Sequence, residues 1–367
     1  MTSLWSRIGL AGALAGLAQV GASATSVAPA PQPKAPQSRP VVRPAVVTPQ
    51  APIYIRDRID ALGKQFNGRV GIAVRSVDDG WMTGWNEHEL TPQQSVSKLW
   101  VAITALDAVD KGRVRLDDRV TLGRSDLTLF HQPIRAKILG GGHTTTLSAL
   151  MWDALTKSDN TANDKLMRSV GGPAAVRAMI SNKGLGAIRF YDGERALQSR
   201  VAGLVWSQSY SIGGAFYEAR NALPMSVRKA AFDRYVADPY DGASAAAIVN
   251  ALARLKRGEL LSAPSTAKLL SVMGNTRTGP NRLKGGLKPG WTLSHKTGTG
   301  QVLGAVQAGY NDIGIITAPD GRSYSVAVMI KRTSTPLPTR MALMNNVVRA
   351  VILQHEMSRG SAYTLAR

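Results

Sequence analysis

Hydrophobic side chains follow a helical period at the start of the folded chain and change to a strand period directly after it. Residues 53–64 have the helical spacing. Residues 70–77 and 81–85 alternate as two strands on either side of an Asp78-Asp79-Gly80 turn. In residues 95–111 apolar side chains recur every three or four positions, which predicts a long, largely buried helix.

Helical spacing then dominates the middle of the chain, and strand spacing returns towards its C-terminal end. Further helices are predicted over residues 146–155, 161–170, 173–180, 243–255 and 265–273. Late strands are predicted over residues 292–296, 313–317 and 324–331, followed by a helix over 339–355. This order predicts an α/β fold whose sheet is built from both chain ends and flanked by helices. An all-α subdomain is inserted between the two ends, at about residues 95–285.

The first 52 residues differ from the rest in composition. Residues 8–24 are an apolar stretch after a single charge, Arg7, and they end in the small-x-small pattern Ala22-Ser23-Ala24. We therefore expect residues 1–24 to be a cleaved secretory signal peptide, with an uncleaved membrane anchor as the alternative. Residues 25–52 are rich in Pro, Ala, Gln and Val, which predicts a disordered tether. The folded domain is then residues 53–367, and we expect it to be periplasmic.

Composition excludes several kinds of site and raises a question about partners. The chain has no cysteine, which excludes disulfides, a zinc-thiolate site, a cysteine nucleophile and a lipid-modified cysteine. The five histidines show no repeated ligand spacing, so we predict no metal site. The formal net charge is +21, of which +17 remains after residues 1–52.

This positive charge suggests a basic module for nucleic acid or an anionic envelope polymer as one hypothesis. The chain has no run of Lys and Arg and no nucleic-acid motif, and export separates it from the genome. We therefore expect no nucleic-acid partner, and electrostatic contact with the anionic cell envelope stays a candidate.

A serine and a lysine three residues apart open the helix predicted at residues 95–111. Positions i and i+3 share a helix face, so the Lys98 amine can take a proton from the Ser95 hydroxyl. The spacing alone is a weak signal, because it recurs at Ser226/Lys229 and Ser265/Lys268. What favours Ser95 is the ordered series that follows it, namely Ser158-Asp159-Asn160 at a helix junction and Lys296-Thr297-Gly298-Thr299-Gly300 at a strand end.

In these motifs the sequence resembles the penicillin-recognising serine hydrolases, and most closely the class A β-lactamases. The likeness runs from about Ile53 to His355 and includes Gly171-Gly172-Pro173, Gly258-Glu259-Leu260-Leu261 and Asn311-Asp312-Ile313. The resemblance implies a β-lactamase/transpeptidase-like fold with an antiparallel sheet. It also implies acyl transfer without a cofactor.

The resemblance assigns the acylation step to three side chains and two backbone N–H groups. Ser95 is implied as the nucleophile, with Lys98, or Glu194 through a water, as its base. A neutral Lys98 is expected, because Lys296 nearby disfavours a second cation. The backbone N–H groups of Ser95 and Thr299 are implied to form the oxyanion hole.

Substrate binding is assigned in the same way. Ser158 is implied to pass a proton to the leaving nitrogen, and Asn160 to hold the side-chain amide of the substrate. The substrate carboxylate is implied to bind Lys296, Thr297 and Thr299, while Gly298 lets the strand approach closely. His131 lies about where the family places an aromatic residue at the rim of the cleft.

The omega loop, which carries the family's E-x-x-L-N motif, is altered in this sequence. Counting from Ser158 without a gap places the glutamate at Glu194 and the asparagine at Gln198. These two side chains are implied to hold the deacylating water. The alternative is an ordinary surface Glu-Arg pair at Glu194-Arg195.

In the family, an arginine and an aspartate form an ion pair that holds the two ends of this loop together, and here both positions are acidic. The arginine position two residues before the glutamate is Asp192, and the far aspartate is Asp241. Two like charges cannot form an ion pair, so we expect another residue, such as Arg189 or Arg195, to hold the loop.

The loop is also about 34 residues longer than in the family, which places an insertion at about residues 199–240. The insertion holds seven of the 21 aromatic residues. One hypothesis is a small helical subdomain with its own core, over residues 215–223 and 226–236. The other is a lid over the cleft that shapes substrate choice. Glu218 and Asn221 inside it are a rival pair for binding the water.

Two functions remain for this sequence. The first is a serine β-lactamase that hydrolyses the β-lactam amide through a Ser95 acyl-enzyme. The alternative is a D-alanyl peptidase-like or slowly deacylating penicillin-binding hydrolase. The partner is thus a β-lactam or a cell-wall peptide, and we expect a monomer.

Overall fold

The structure is a computed structural model that describes Gly21 and residues 49–365. The predicted signal peptide, apart from Gly21, and residues 25–48 of the predicted tether lie outside the described residues. The main folded unit spans Val47–Arg367. Of the described helices, none combines the length and the apolar character needed to cross a membrane.

Helices form the largest share of the secondary structure in the described chain. The α-helices are α1 (Ile53–Gln65), α2 (Lys98–Asp110), α3 (Arg135–Leu139), α4 (Leu147–Thr156), α5 (Asn160–Ser169), α6 (Gly172–Asn182), α7 (Glu194–Val201), α8 (Ala215–Ala222), α9 (Met225–Ala237), α10 (Ala245–Lys256), α11 (Ala263–Gly274) and α12 (Leu337–Leu365). Each helix predicted from hydrophobic spacing is present, with its ends shifted by a few residues at most, except that α12 continues further towards the C-terminus.

A single large antiparallel sheet is built from both chain ends, as predicted. The strands are β1 (Arg69–Ser76), β2 (Met82–Trp85), β3 (Thr91–Pro92), β4 (Arg119–Leu122), β5 (His143–Thr146), β6 (Gly242–Ala243), β7 (Thr292–Thr299), β8 (Val302–Leu303), β9 (Val306–Thr317) and β10 (Ser323–Thr333). The sheet order is β2-β1-β10-β9-β7, with β8 paired to β9. In register, Ala73 of β1 faces Ala327 of β10.

Each face of the sheet is covered by its own layer of helices. On one face, Ile59 of α1 and Val347 of α12 pack with Val328 of β10. On the other, Leu99 of α2 packs in the cluster that contains Ala327 of β10. Because α2 is buried on almost every side, its sequence is apolar all round rather than amphipathic.

The structure also contains two short two-stranded ribbons, which were not predicted. One pairs β4 with β5, and the other pairs β3 with β6. The β4–β5 ribbon forms because the β-branched residues Val120, Thr121 and Thr144–Thr146 favour an extended backbone. Four-residue strands are too short for an alternating pattern to be recognised in the sequence.

The helices of the 199–240 insertion lie where helical spacing predicted them, as α8 and α9. Phe232 and Tyr235 of α9 pack with Leu197 of α7 and Ala308 of β9. Phe216 of α8 packs in a second cluster with Leu129 and Ala202. The two helices therefore share their cores with neighbouring elements rather than with each other.

Candidate active site

Ser95 lies in a 3-10 turn, Gln94–Ser97, that leads into the buried helix α2. The Lys98 Nζ atom donates a hydrogen bond to the Ser95 Oγ atom at 2.8 Å. The two rival Ser-x-x-Lys pairs have no such contact, because Lys229 pairs with Asp233 and Ser265 donates to Asp110. The structure thus distinguishes Ser95 and Lys98 from the two other Ser-x-x-Lys pairs.

Lys98 is fully buried and its amine contacts three acceptors. Besides Ser95, it donates to Asn160 Oδ1 at 2.8 Å and to Glu194 Oε1. An ammonium group can donate all three hydrogen bonds, and a neutral amine can donate to Asn160 and Glu194 while it accepts one from the Ser95 hydroxyl. The neutral Lys98 therefore stays a prediction that these contacts accommodate.

Lys296 is the lysine whose charged form is disfavoured. Burial, followed by the charge of Lys98, lowers the pKa of Lys296 well below its ordinary value. Its amine donates to Ser158 Oγ at 3.0 Å and to the Thr297 carbonyl at 2.9 Å. The predicted repulsion between the two lysines thus contributes to the lowered pKa of Lys296.

In the Ser158-Asp159-Asn160 segment, the first and third side chains line the cleft, and the middle one supports the backbone. The backbone of Ser158 has φ +61°, a left-handed conformation that is rare for residues other than glycine. Asp159 is buried and caps α5, accepting from Ala162 N at 2.9 Å and from Ile134 N at 2.6 Å. Its carboxylate fixes the turn from which Ser158 and Asn160 reach the cleft.

The strand β7 passes directly behind the turn that carries the serine. A Cβ atom added to Gly298 would lie 2.3 Å from the Gln93 carbonyl oxygen, so only glycine allows this approach. Thr297 and Thr299, on either side of it, line the cleft.

Glu194 and Gln198 lie one turn apart at the start of α7 and face the same buried space. Glu194 is 3% exposed, and its backbone N–H donates to Asp164 Oδ1 at 3.0 Å. The Gln198 Nε2 atom donates to Glu194 Oε2 at 3.1 Å and to Gln94 Oε1 at 2.9 Å. The surface Glu-Arg alternative does not fit this burial. The rival pair Glu218 and Asn221 is exposed and does not line the cleft.

Arg189 holds the two ends of the omega loop together. It is one of the two arginines that we expected in this role. Its backbone N–H donates to the Gly242 carbonyl at 2.8 Å, and its guanidinium pairs with Asp238 at 2.5 Å. Asp192 turns away and pairs with Arg177 at 2.9 Å. The unmatched charges Asp192 and Asp241 are therefore accommodated by separate partners.

A hydrogen-bond network behind the serine was missed in the sequence. Gln94 has φ +53°, and its backbone N–H donates to Asp241 Oδ2 at 2.7 Å. The Gln94 Nε2 atom donates to the Tyr235 hydroxyl at 2.5 Å, which in turn donates to Asp241 Oδ1 at 2.9 Å. Burial raises the pKa of Asp241 to about 7. Since Gln94 also contacts Gln198, this network connects the insertion to Glu194.

Arg282 is a second residue that sequence reasoning missed. Its guanidinium donates to the Gly298 carbonyl at 3.0 Å and to Thr299 Oγ1 at 2.6 Å, and it stacks on the Tyr310 ring at 3.8 Å. Being the fourth residue of a Gly-Pro-Asn-Arg turn, it matched no motif. Arg282 places a permanent positive charge where Lys296 is disfavoured as a cation.

Ser95 lines a cleft of about 450 Å³, together with Ser158, Asn160, Gln198 and Arg282. One part of its lining is rich in hydroxyls and carries Arg282, and it consists of Ser158, Thr278, Arg282, Thr297 and Thr299. Another part is aromatic and amide-bearing and includes Phe130, His131, Asn160, Gln198, Tyr217 and Arg220. Within the part of the chain that the structure describes, no cluster of side chains could hold a metal ion.

The arrangement has the parts that acyl transfer requires. A serine hydroxyl contacts an amine, and that amine contacts a buried carboxylate that can take up a proton. A second serine bonded to a lysine lies on another wall of the cleft, where it can supply a proton to a leaving group. Hydroxyls and an arginine provide a site for a substrate carboxylate.

Comparison with known proteins agrees with this chemistry. The family model described as the beta-lactamase enzyme family matches residues 54–355. The extended-spectrum beta-lactamase PER-1 of Pseudomonas aeruginosa is 29% identical over 316 residues, covering 85% of this chain and 90% of that protein.

Solved structures are similar over most of the chain. A beta-lactamase from Chitinophaga pinensis is 27% identical with a TM-score of 0.67, covering 81% of this chain and 97% of the other. An ancestral class A beta-lactamase is 29% identical with a TM-score of 0.65, covering 81% of this chain and 98% of the other.

Proposed function

The chain belongs to the beta-lactamase enzyme family, and we propose that it hydrolyses the β-lactam amide through an acyl-enzyme on Ser95. The observation that carries the assignment of Ser95 is the contact of one buried amine, Lys98 Nζ, with both the Ser95 hydroxyl and the Glu194 carboxylate. No observation favours a peptidase function over β-lactam hydrolysis.

In acylation, the Ser95 oxygen attacks the β-lactam carbonyl and its proton must leave. Lys98, as a neutral amine, accepts this proton from the hydroxyl that it contacts at 2.8 Å. As the carbon–nitrogen bond of the ring breaks, Ser158, which Lys296 holds at 3.0 Å, donates its proton to the nitrogen, and the proton that Lys98 took from Ser95 replaces it. The product of this step is an ester on Ser95.

In deacylation, Glu194 and Gln198 hold a water beside the ester. Glu194 takes a proton from this water, whose oxygen attacks the ester carbonyl. The ester bond breaks, and the Ser95 oxygen regains its proton through Lys98. The burial of Glu194 strengthens these contacts, because little bulk water competes for its oxygens.

The substrate is oriented by its ring carboxylate and by its side-chain amide. Arg282, Thr297 and Thr299 bind the carboxylate, with Lys296 beside them. Asn160 and Gln198 lie beside the side-chain amide in the other part of the cleft. We propose that the enzyme acts as a monomer, exported to the periplasm by residues 1–24, where its positive charge favours the anionic envelope.

The test is mass spectrometry of the intact protein mixed with benzylpenicillin, followed over time together with the hydrolysed product. The expected result is an adduct at Ser95 that forms and then disappears as product accumulates. Ser95→Ala should form no adduct, whereas Ser226→Ala, which alters a rival Ser-x-x-Lys pair on the surface of α9, should behave as wild type. A persistent adduct without product would refute the β-lactamase assignment in favour of a slowly deacylating enzyme.

A further inference from the structure

The insertion reaches the cleft through helix α8, and this carries an inference about substrate choice that rests on the proposed function. Tyr217 and Arg220 of α8 line the cleft together with Phe130. Phe130 is 37% exposed and Tyr217 is 47% exposed, which leaves two aromatic rings facing the solvent of the cleft. Their ring centroids lie 6.3 Å apart.

The backbone at Phe130 is held in a strained conformation. Its φ is +60°, in the left-handed region that is unfavourable for residues other than glycine. The ring is fixed by an edge-to-face contact with Phe216, at 5.0 Å between centroids and 85° between planes. Phe216 is itself buried, at 1% exposed. Packing against the insertion therefore holds Phe130 at the rim of the cleft.

Arg220 brings a positive charge without a matching carboxylate. Its guanidinium carbon lies 5.2 Å from the centroid of the Tyr217 ring. The buried Nε atom has no hydrogen-bond partner, and no ion pair among residues 49–359 includes Arg220. A guanidinium positioned by aromatic rings, with donors unused, is suited to bind an anion.

This group lies near Asn160 rather than in the hydroxyl-rich part of the cleft. The Asn160 Nδ2 atom donates to the carbonyl of Leu129 at 2.9 Å, and Phe130 follows Leu129 in the chain. The ring carboxylate of a substrate is bound at Arg282, so the group near Asn160 meets the acylamino side chain instead. Its chemistry combines aromatic surface with one unpaired cation.

We propose that Phe130, Tyr217 and Arg220 form a pocket for β-lactams whose acylamino side chain carries both an aromatic ring and a carboxylate. The two rings contact the ring of the side chain. The Arg220 guanidinium binds the additional carboxylate. The enzyme thus selects dianionic substrates over otherwise identical monoanionic ones.

Benzylpenicillin and carbenicillin test this, because they differ only by one carboxylate on the carbon next to the phenyl ring. The rate constant for adduct formation at Ser95 is measured by rapid-quench mass spectrometry for each, and their ratio is compared between variants. Arg220→Gln should lower the carbenicillin-to-benzylpenicillin ratio about fivefold, as for one partly exposed charge pair. Arg220→Lys should restore much of the ratio because it keeps the charge.

Arg228→Gln is the matched control. Arg228 is a half-buried arginine of α9 whose Nε atom also lacks a partner, and it lines a small cavity that Arg220 borders too, but it does not line the cleft. Its substitution should leave the ratio unchanged. An unchanged ratio in Arg220→Gln, or an equal fall in Arg228→Gln, would overturn the pocket.

These outcomes are separate from a failure of the proposed function. If wild-type protein forms no adduct with either penicillin, the proposed function is refuted. If adducts form and the ratio does not respond to Arg220, only the pocket is refuted. The measurement does not depend on turnover, since adduct formation precedes deacylation.

Discussion

Replacing Glu194 with glutamine should separate the two halves of the reaction. The substitution keeps the volume of the side chain and a carbonyl oxygen that can accept from Lys98. It removes the negative charge and the ability to take a proton from water. We therefore expect Ser95 to be acylated in the variant and the ester to persist.

The size of the effect follows from what Glu194 contacts. A positioned general base contributes about 10²–10⁴-fold to the rate of a step, so deacylation should slow by about this factor. The same substitution removes the negative charge from the buried contact between residue 194 and Lys98. Breaking a buried pair costs about 3–5 kcal/mol, and the retained amide oxygen of the glutamine should keep the loss near the lower value.

Two assays resolve these contributions. Intact-protein mass spectrometry with benzylpenicillin gives the lifetime of the adduct, and urea unfolding gives the stability. Glu218→Gln, in the exposed rival carboxylate of α8, is the control and should change neither. Deacylation by Glu194→Gln at the wild-type rate, or a trapped adduct in Glu218→Gln, would refute the assignment of the base.

Three further substitutions test the groups around this base. Tyr235→Phe removes the hydroxyl that links Gln94 to Asp241, and we expect a lower kcat for benzylpenicillin and a loss of about 1–3 kcal/mol in urea unfolding; a kcat equal to wild type would contradict a link to the water site. Native Asp241 keeps its proton up to about pH 7, whereas its ordinary pKa is 3.8, so its contribution to stability is present at low pH and is lost as the pH rises to about 7. Asp241→Asn should therefore show a smaller fall in Tm between pH 5 and pH 8 than wild type, and an equal fall would contradict the raised pKa. Arg282→Gln should raise KM for benzylpenicillin about tenfold with a smaller change in kcat, as for a charged hydrogen-bond partner of the substrate carboxylate; an unchanged KM in steady-state assays would exclude that contact.

Local patterns in the sequence predicted the elements that depend on local spacing. The helix α2 and the strand β7 were recognisable because burial imposes a period on their own residues. The order of the motifs also pointed to Ser95 rather than to Ser226 or Ser265. Their neighbours Asp233 and Asp110, which occupy the rival groups, became evident only in the fold.

The different surroundings of the two lysines could not be predicted from their proximity alone. Lys98 and Lys296 are both buried, so charge repulsion applies equally to each. What distinguishes them is the set of acceptors. Lys98 contacts a carboxylate, and Lys296 contacts a hydroxyl and a carbonyl. Only the three-dimensional arrangement shows which lysine contacts the carboxylate.

The contacts of the 199–240 insertion were also beyond prediction from local sequence patterns. They explain why this one segment can affect substrate selection and turnover separately. Tyr235 contacts Gln94 across 141 positions of sequence, a distance over which no periodicity or motif carries information. Helix α9 thereby supports the residue before the nucleophile, while helix α8 places Arg220 in the cleft. Because these contacts lie on different helices with different packing partners, changes at Arg220 should alter substrate selection and changes at Tyr235 should alter turnover. The long omega loop is therefore part of the active site on both of its helices.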